Sequence, residues 1–247
     1  VKNLRLDLSY LGSGYCGFQK LPGRVTVQGT LEQELGKITG EKVKIVGAGR
    51  TDRGVHAFGQ VCNFLTESRI NPPAFRRALN SLLPESLRVL QCTEVPLAFH
   101  ARKDALAKSY LYVVETAAIG SPFLAPFTYH FPYLLQLAAM REALRSLLGE
   151  QDFRTFAKAG IYNGGTIRML RRADMIARLP LLYFLLEGSG FLQHMVRTIV
   201  GTVLEVGRGK RTVEGFTQAL RAKDRTVAGP TIPPHGLFLV GVLYPNG

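Results

Sequence analysis

The chain has 247 residues, room for one large domain or two of about 120 each. Hydrophobic residues make up 46%, and 31 Lys and Arg against 18 Asp and Glu leave a formal charge of +13, a field that favours a polyanionic partner, either nucleic acid or an acidic membrane surface. No apolar run reaches the roughly 18 residues of a membrane span, and neither the three cysteines nor the five histidines show metal-ligand spacing, so a reduced, cytoplasmic protein without structural zinc is expected.

Val1-Lys2-Asn3 leads directly into alternation, not into a signal peptide. Leu4 to Tyr10 alternates with period two and predicts a half-buried strand. Gly12-Ser13-Gly14-Tyr15-Cys16-Gly17 matches the spacing of a dinucleotide loop, but Pro22-Gly23 follows where a helix would have to begin. A cofactor site is therefore rejected there, leaving Phe18 and Gln19 as residues that can line a site. Gln28 to Ile38 predicts a helix ending before Gly40. Strands are expected at Val43–Gly47 and Phe58–Leu65. Asn71-Pro72 opens a helix that runs to Leu83, and Leu87–Val95 is a further strand.

The second half gives a strand at Tyr110–Val114 and a helix over Pro132–Leu148. Two strands, Ile167–Ile176 and Leu181–Leu186, are joined at Arg178-Leu179-Pro180. Helices follow at Phe191–Val206 and Val213–Leu220, and a strand at Leu237–Tyr244 closes the chain. Both halves thus read β-α-β-β-α-β, the split βαβ order. The expected fold is α+β: two ferredoxin-like halves, 1–103 and 104–247, forming a largely antiparallel sheet with helices on one side and a basic cleft between the halves. The boundary is expected near 96–107.

Between the second and third expected strands lies Ala48-Gly49-Arg50-Thr51-Asp52-Arg53-Gly54-Val55-His56-Ala57. A connection needs turn residues and little else; this one carries a carboxylate between two guanidiniums, a hydroxyl and an imidazole. A salt-bridged turn would have that composition, and so would a nucleophilic or general-base aspartate kept ionised by arginines. Downstream, Tyr110 and Tyr112 share one strand face behind Lys108. On the helix after Gly190, Arg197 and Gly201 lie one turn apart, and glycine there suits a face pressed against a ligand or a second element. Arg154, Lys158 and Arg168 sit in a basic, aromatic-interleaved stretch that includes Gly164-Gly165 and suits RNA. The loop Ala228–Gly236 reads as structural, a wall of the cleft.

These motifs together resemble the tRNA pseudouridine synthase A family. Arg50 to Ala57 is similar to its R-T-D-A-G-V-H-A motif and Lys108-Ser109-Tyr110-Leu111-Tyr112 to its R-x-Y-x-Y. Phe191 with Met195 to Gly201 is similar to its F-x-x-x-M-V-R-x-I-V-G. Asp224-Arg225, Ala228-Gly229-Pro230-Thr231 and Pro234-His235-Gly236-Leu237 resemble its C-terminal signature. The resemblance implies Asp52 as nucleophile, Tyr110 stacked on the target uracil and Arg197 as the basic partner of Asp52. Arg50, Arg53, His56 and Lys108 join Phe18, Gln19 and the three basic residues above as substrate-binding candidates. It further implies a homodimer, no metal or cofactor, and a target in the tRNA anticodon arm. Arg53 stands where the family has alanine, and Lys108 where it has arginine. The competing reading is a non-catalytic RNA-binding module of the RRM type, which shares the split order. Residues 57–64 lack the basic-Gly pair that opens its signature.

Overall fold

A computed structural model describes residues 1–160 and 165–245. The chain divides into two compact units, Val1–Leu106 with Phe238–Gly247, and Ala107–Leu237.

The first unit is built on β1 (Lys2–Tyr10), α1 (Val27–Thr39), β2 (Val46–Gly47), β3 (His56–Thr66), α2 (Pro72–Leu82) and β4 (Leu87–Val95). β1 pairs antiparallel with both β3 and β4, and β2 adds to β3, giving the order β4-β1-β3-β2 of a split βαβ unit. Alternation decides which face is covered. Leu4, Leu6, Leu8 and Tyr10 are all buried, with the partly exposed Arg5, Asp7 and Ser9 between them. Opposite Leu4 stands Phe64, whose ring meets Phe75 of α2 edge-on at 5.9 Å, so α2 lies over this face. Both helices begin and end on the expected chemistry. Thr26 and Asn71 accept from the Gly29 and Ala74 amides as N-caps, and Gly40 closes α1 at φ 75°.

The second unit contains β5 (Ala107–Glu115), β6 (Tyr129–His130), α3 (Leu137–Arg145), β7 (Gly149–Asp152), β8 (Ile167–Arg178), β9 (Leu181–Gly188), α4 (Met195–Gly207) and α5 (Val213–Ala222). Its sheet runs β5-β9-β8-β7, antiparallel throughout, with β6 parallel to β5. Leu182, Phe184 and Leu186 of β9 are buried opposite Val114, Tyr112 and Tyr110 of β5. Met140 and Leu144 of α3 and Phe216 of α5 are fully buried, and Phe216 stacks on Phe156 at 5.6 Å.

The structure shortens three expected elements and extends the last strand's role. Only Val46 and Gly47 of Val43–Gly47 are strand, because α1 side chains take over the ladder. Ile45 N–H donates to Glu32 Oε1 (3.1 Å) and Ile45 O accepts from Gln28 Nε2 (3.2 Å). The helix expected over Pro132–Leu148 spans Leu137–Arg145. Before it, the chain still follows β5, with Phe131 N–H donating to Glu115 O; after it, Gly149 turns at φ 92° into β7. The helix expected from Phe191 starts at Met195, because His194 takes the left-handed φ of 68°. The closing strand, β10 (Leu237–Leu243), pairs in parallel with β3 at Phe238–His56 and Leu239–Ala57. It therefore belongs with Val1–Leu106 and not with Ala107–Leu237.

Candidate active site

In the first unit, the Asp52 loop leaves β2 at Ala48 and re-enters β3 at His56, with no strand or helix between. Its backbone is held from several directions. Phe18 N–H donates to Thr51 O (3.1 Å), Val55 N–H donates to Asp52 O (3.1 Å), and Gln60 Nε2 donates to Gly49 O (3.0 Å). Gly54, at φ 80°, lets the chain turn inside the Asp52–Val55 bond. Thr51 and His56 are buried, Asp52 is half-buried, and Arg50 and Arg53 are exposed.

The glycines of residues 12–17 explain the misleading dinucleotide pattern. A Cβ on Gly12 would sit 2.1 Å from Val55 O, and one on Gly17 would sit 2.8 Å from Thr51 O. These positions let one loop lie directly against the back of another. Gly12 N–H donates to His56 Nδ1 (3.1 Å), and the His56 ring stacks on Phe238 at 4.9 Å. Phe18 is buried, and its ring occupies the space a Gly47 side chain would take. Gln19 is exposed beside it.

In the second unit, Tyr110 is 7% exposed and meets Phe191 edge-on at 5.0 Å. Lys108 is half-buried on the same strand, opposite Gly188. Tyr112 is fully buried and donates to Pro233 O (2.7 Å). Burial pushes its phenol up, with the Arg197 charge acting the other way. Arg197, half-buried, donates from Nε to Ile232 O (2.7 Å). That contact exists because the Ala228–Gly236 loop lies on α4. A Gly201 Cβ would be 2.1 Å from Pro230 O, Thr198 Oγ1 bonds Thr231 Oγ1 (2.9 Å), and Gly229 N–H donates to Thr202 Oγ1 (3.0 Å). The close approach expected at Gly201 is to this loop, whose structural role is plain.

The remaining basic candidates divide. Arg154 and Lys158 are exposed. Arg154 leans on Asp152, its N–H donating to Oδ1 at 3.0 Å, and Lys158 N–H donates to Gln193 O (2.9 Å) just before α4. Arg168 folds onto its own loop, donating to Ile167 O (2.6 Å), and burial lowers its pKa. Gly164 of that stretch lies outside the described residues. Sequence reasoning missed Tyr10 and Gln60, which hold the Asp52 loop from below. The available signal was a phenol where the β1 alternation called for an aliphatic side chain.

Among the described residues no helix is long and apolar enough to cross a membrane. A family model described as tRNA pseudouridine synthase matches residues 8–103 and 143–245. A Geobacillus sp. (strain WCH70) protein named tRNA pseudouridine synthase A is 44% identical over 246 residues, 99% of this chain and 99% of the relative. Proteins of the same name from Caldicellulosiruptor bescii and Geobacter sp. (strain M21) are each 41% identical. The first alignment covers 99% of this chain and 100% of the relative, the second 100% of both.

Proposed function

The chain belongs to the tRNA pseudouridine synthase family, and on that premise we propose that it isomerises uridine to pseudouridine in the anticodon arm of tRNA, with Asp52 opening the glycosidic bond. The target uridines are the last loop position and the first two on the 3′ side of the stem. The observation that carries the reading is Asp52 itself: a half-buried carboxylate on a loop whose backbone is held on both sides. A solvated turn needs no such support, and a non-catalytic RRM-type module has no use for it.

The reaction breaks N1–C1′, turns the freed uracil, joins C5 to C1′ and removes the C5 proton while N1 regains one. Atoms and electrons balance within the substrate, so neither a redox partner nor a group donor is required. The carboxylate serves at C1′, at C6 or on the C2′ proton. Tyr110 stacks on the uracil and Arg197 supplies positive charge to the reacting nucleotide. A stem base is reachable only when extruded. The charge of +13 supports a salt-sensitive grip on the tRNA backbone, to which Arg53, Lys108, Arg154 and Lys158 contribute. The protein works in the cytoplasm as a homodimer; sedimentation of the purified chain as a monomer refutes the latter.

The test is pseudouridine formation on an unmodified tRNA transcript. Wild type yields product, while Asp52→Asn binds tRNA and yields none. Product from Asp52→Asn removes the assignment; tRNA binding without product from wild type favours the module. A 5-fluorouridine transcript, whose C5 substituent cannot leave as a proton, stalls before completion.

A further inference from the structure

Beneath the Asp52 loop lies a buried polar cluster with no counterpart in the reaction steps above. The Tyr10 hydroxyl is 2.8 Å from Thr51 Oγ1, and Gln60 Nε2 lies 3.4 Å from the Tyr10 oxygen and 3.0 Å from Gly49 O. Tyr10, Thr51 and Gln60 are 3%, 6% and 0% exposed. A phenol at this depth carries a desolvation cost that phenylalanine would avoid, and the other inward residues of β1 are leucines. Packing therefore accounts for the ring and not for the hydroxyl.

Three hydrogen bonds converge on the Gln60 amide. Gln60 uses its amide N–H groups on Gly49 O and the Tyr10 oxygen, while its Oε1 accepts from Val61 N–H (3.1 Å). The Tyr10 hydroxyl shares its other bond with the Thr51 hydroxyl, in which either oxygen can donate. β1 and β3 are irregular here, since Leu8 faces Gln60 but Tyr10 faces Ala57, and such a bulge re-aims side chains. Thr51 is thus held at its side chain by Tyr10 and at its carbonyl by Phe18 N–H, one residue before Asp52.

We propose that Tyr10 is a positioning residue for the isomerisation: its hydroxyl, oriented by Gln60, fixes Thr51 and through it the direction of the Asp52 carboxylate. The inference rests on Asp52 as the reacting group. A misdirected carboxylate slows the chemical step and leaves the grip on tRNA untouched, because that grip comes from surface cations.

Tyr10→Phe keeps the ring and removes only the hydroxyl. Expected is about a tenfold fall in kcat, with KM for tRNA and the thermal midpoint close to wild type. Thr51→Val gives a similar fall, Thr51→Ser recovers most of it, and Tyr10→Phe/Thr51→Val is no worse than either single variant. An unchanged kcat in Tyr10→Phe, equal losses in kcat and tRNA affinity, or additive losses in the double variant overturns the proposal. Amide hydrogen exchange at Phe18 and Val55 gives a readout free of activity. Faster exchange in Tyr10→Phe supports a loop held by the hydroxyl, and unchanged exchange refutes it. Absence of pseudouridine from wild type would instead strike the functional reading, and the exchange measurement would still judge Tyr10.

Discussion

Alanine at Gly12, Gly14 and Gly17 separates the roles of three glycines that look alike in sequence. At Gly12 the new methyl group would lie 2.1 Å from Val55 O, 2.5 Å from Val55 C and 2.8 Å from Gly54 C. All three are backbone atoms, so no rotamer change relieves the overlap and the Asp52 loop must shift by about 1 Å, an overpacking cost of about 1–3 kcal/mol. At Gly17 a similar overlap with Thr51 O adds to a φ of 96°, which an L side chain adopts at a cost of about 1–2 kcal/mol. Together they give about 2–5 kcal/mol, a large part of a total stability of about 5–15 kcal/mol. Gly14 has nothing within 4 Å and an ordinary φ, and its change should stay within about 0.5 kcal/mol. Urea unfolding midpoints at constant m value measure the stabilities, and turnover of a tRNA transcript follows the loop. The Gly12 and Gly17 variants should lose both stability and turnover. If Gly14→Ala is as damaging as Gly12→Ala, or if all three match wild type, the glycines do not serve close approach to the Asp52 loop.

Gly201→Ala should displace the Pro230–Ile232 segment and with it the carbonyl that holds Arg197, costing about 1–3 kcal/mol and a larger share of turnover than of tRNA affinity; equal losses in both would argue against this route. Burial holds Tyr10 up at about 12 from 10.0, so the unfolded chain releases this proton first and stability falls as pH rises from about 10 to 12. Two pH units correspond to about 3 kcal/mol, and Tyr10→Phe should lose less stability than wild type across that window in an alkaline unfolding series. Phe64→Ala, at a ring buried against Phe75, should cost about 3–5 kcal/mol in the same urea assay. The exposed Arg53 should matter for tRNA through charge alone: Arg53→Ala lowers the salt slope of binding by about one, and an unchanged slope excludes a phosphate contact.

Sequence patterning reached far because most elements signal locally. Period two in β1, the Asn71-Pro72 start of α2 and the Leu87–Val95 strand need no tertiary information, and the observed bounds of β4 coincide with the expectation. It failed where a tertiary partner decides. Val43 and Ile45 look like strand residues, but Gln28 and Glu32 reach across from α1 and take the Ile45 hydrogen bonds. Pro132 to Gln136 has the apolar content of a helix, yet Phe131 just before it is tied to Glu115 and Gln136 at its end to Gly207. The Asp52 loop was legible as chemistry because its charges cluster within a few residues. Its support was not, since Tyr10, Phe18 and Gln60 meet the loop only after the sheet has formed.

The parallel pairing of β10 with β3 makes the first unit discontinuous along the chain. A ribosome has released β3 long before β10 emerges, so the nascent protein carries an unfinished sheet with His56 and Phe58 still waiting for the Phe238 ring that stacks on both. Contacts so distant in sequence form late, and an uncovered strand edge invites pairing with the wrong chain. A fragment ended after Leu106 should therefore be sticky, and a version that carries residues 238–245 fused beyond that point should be better behaved.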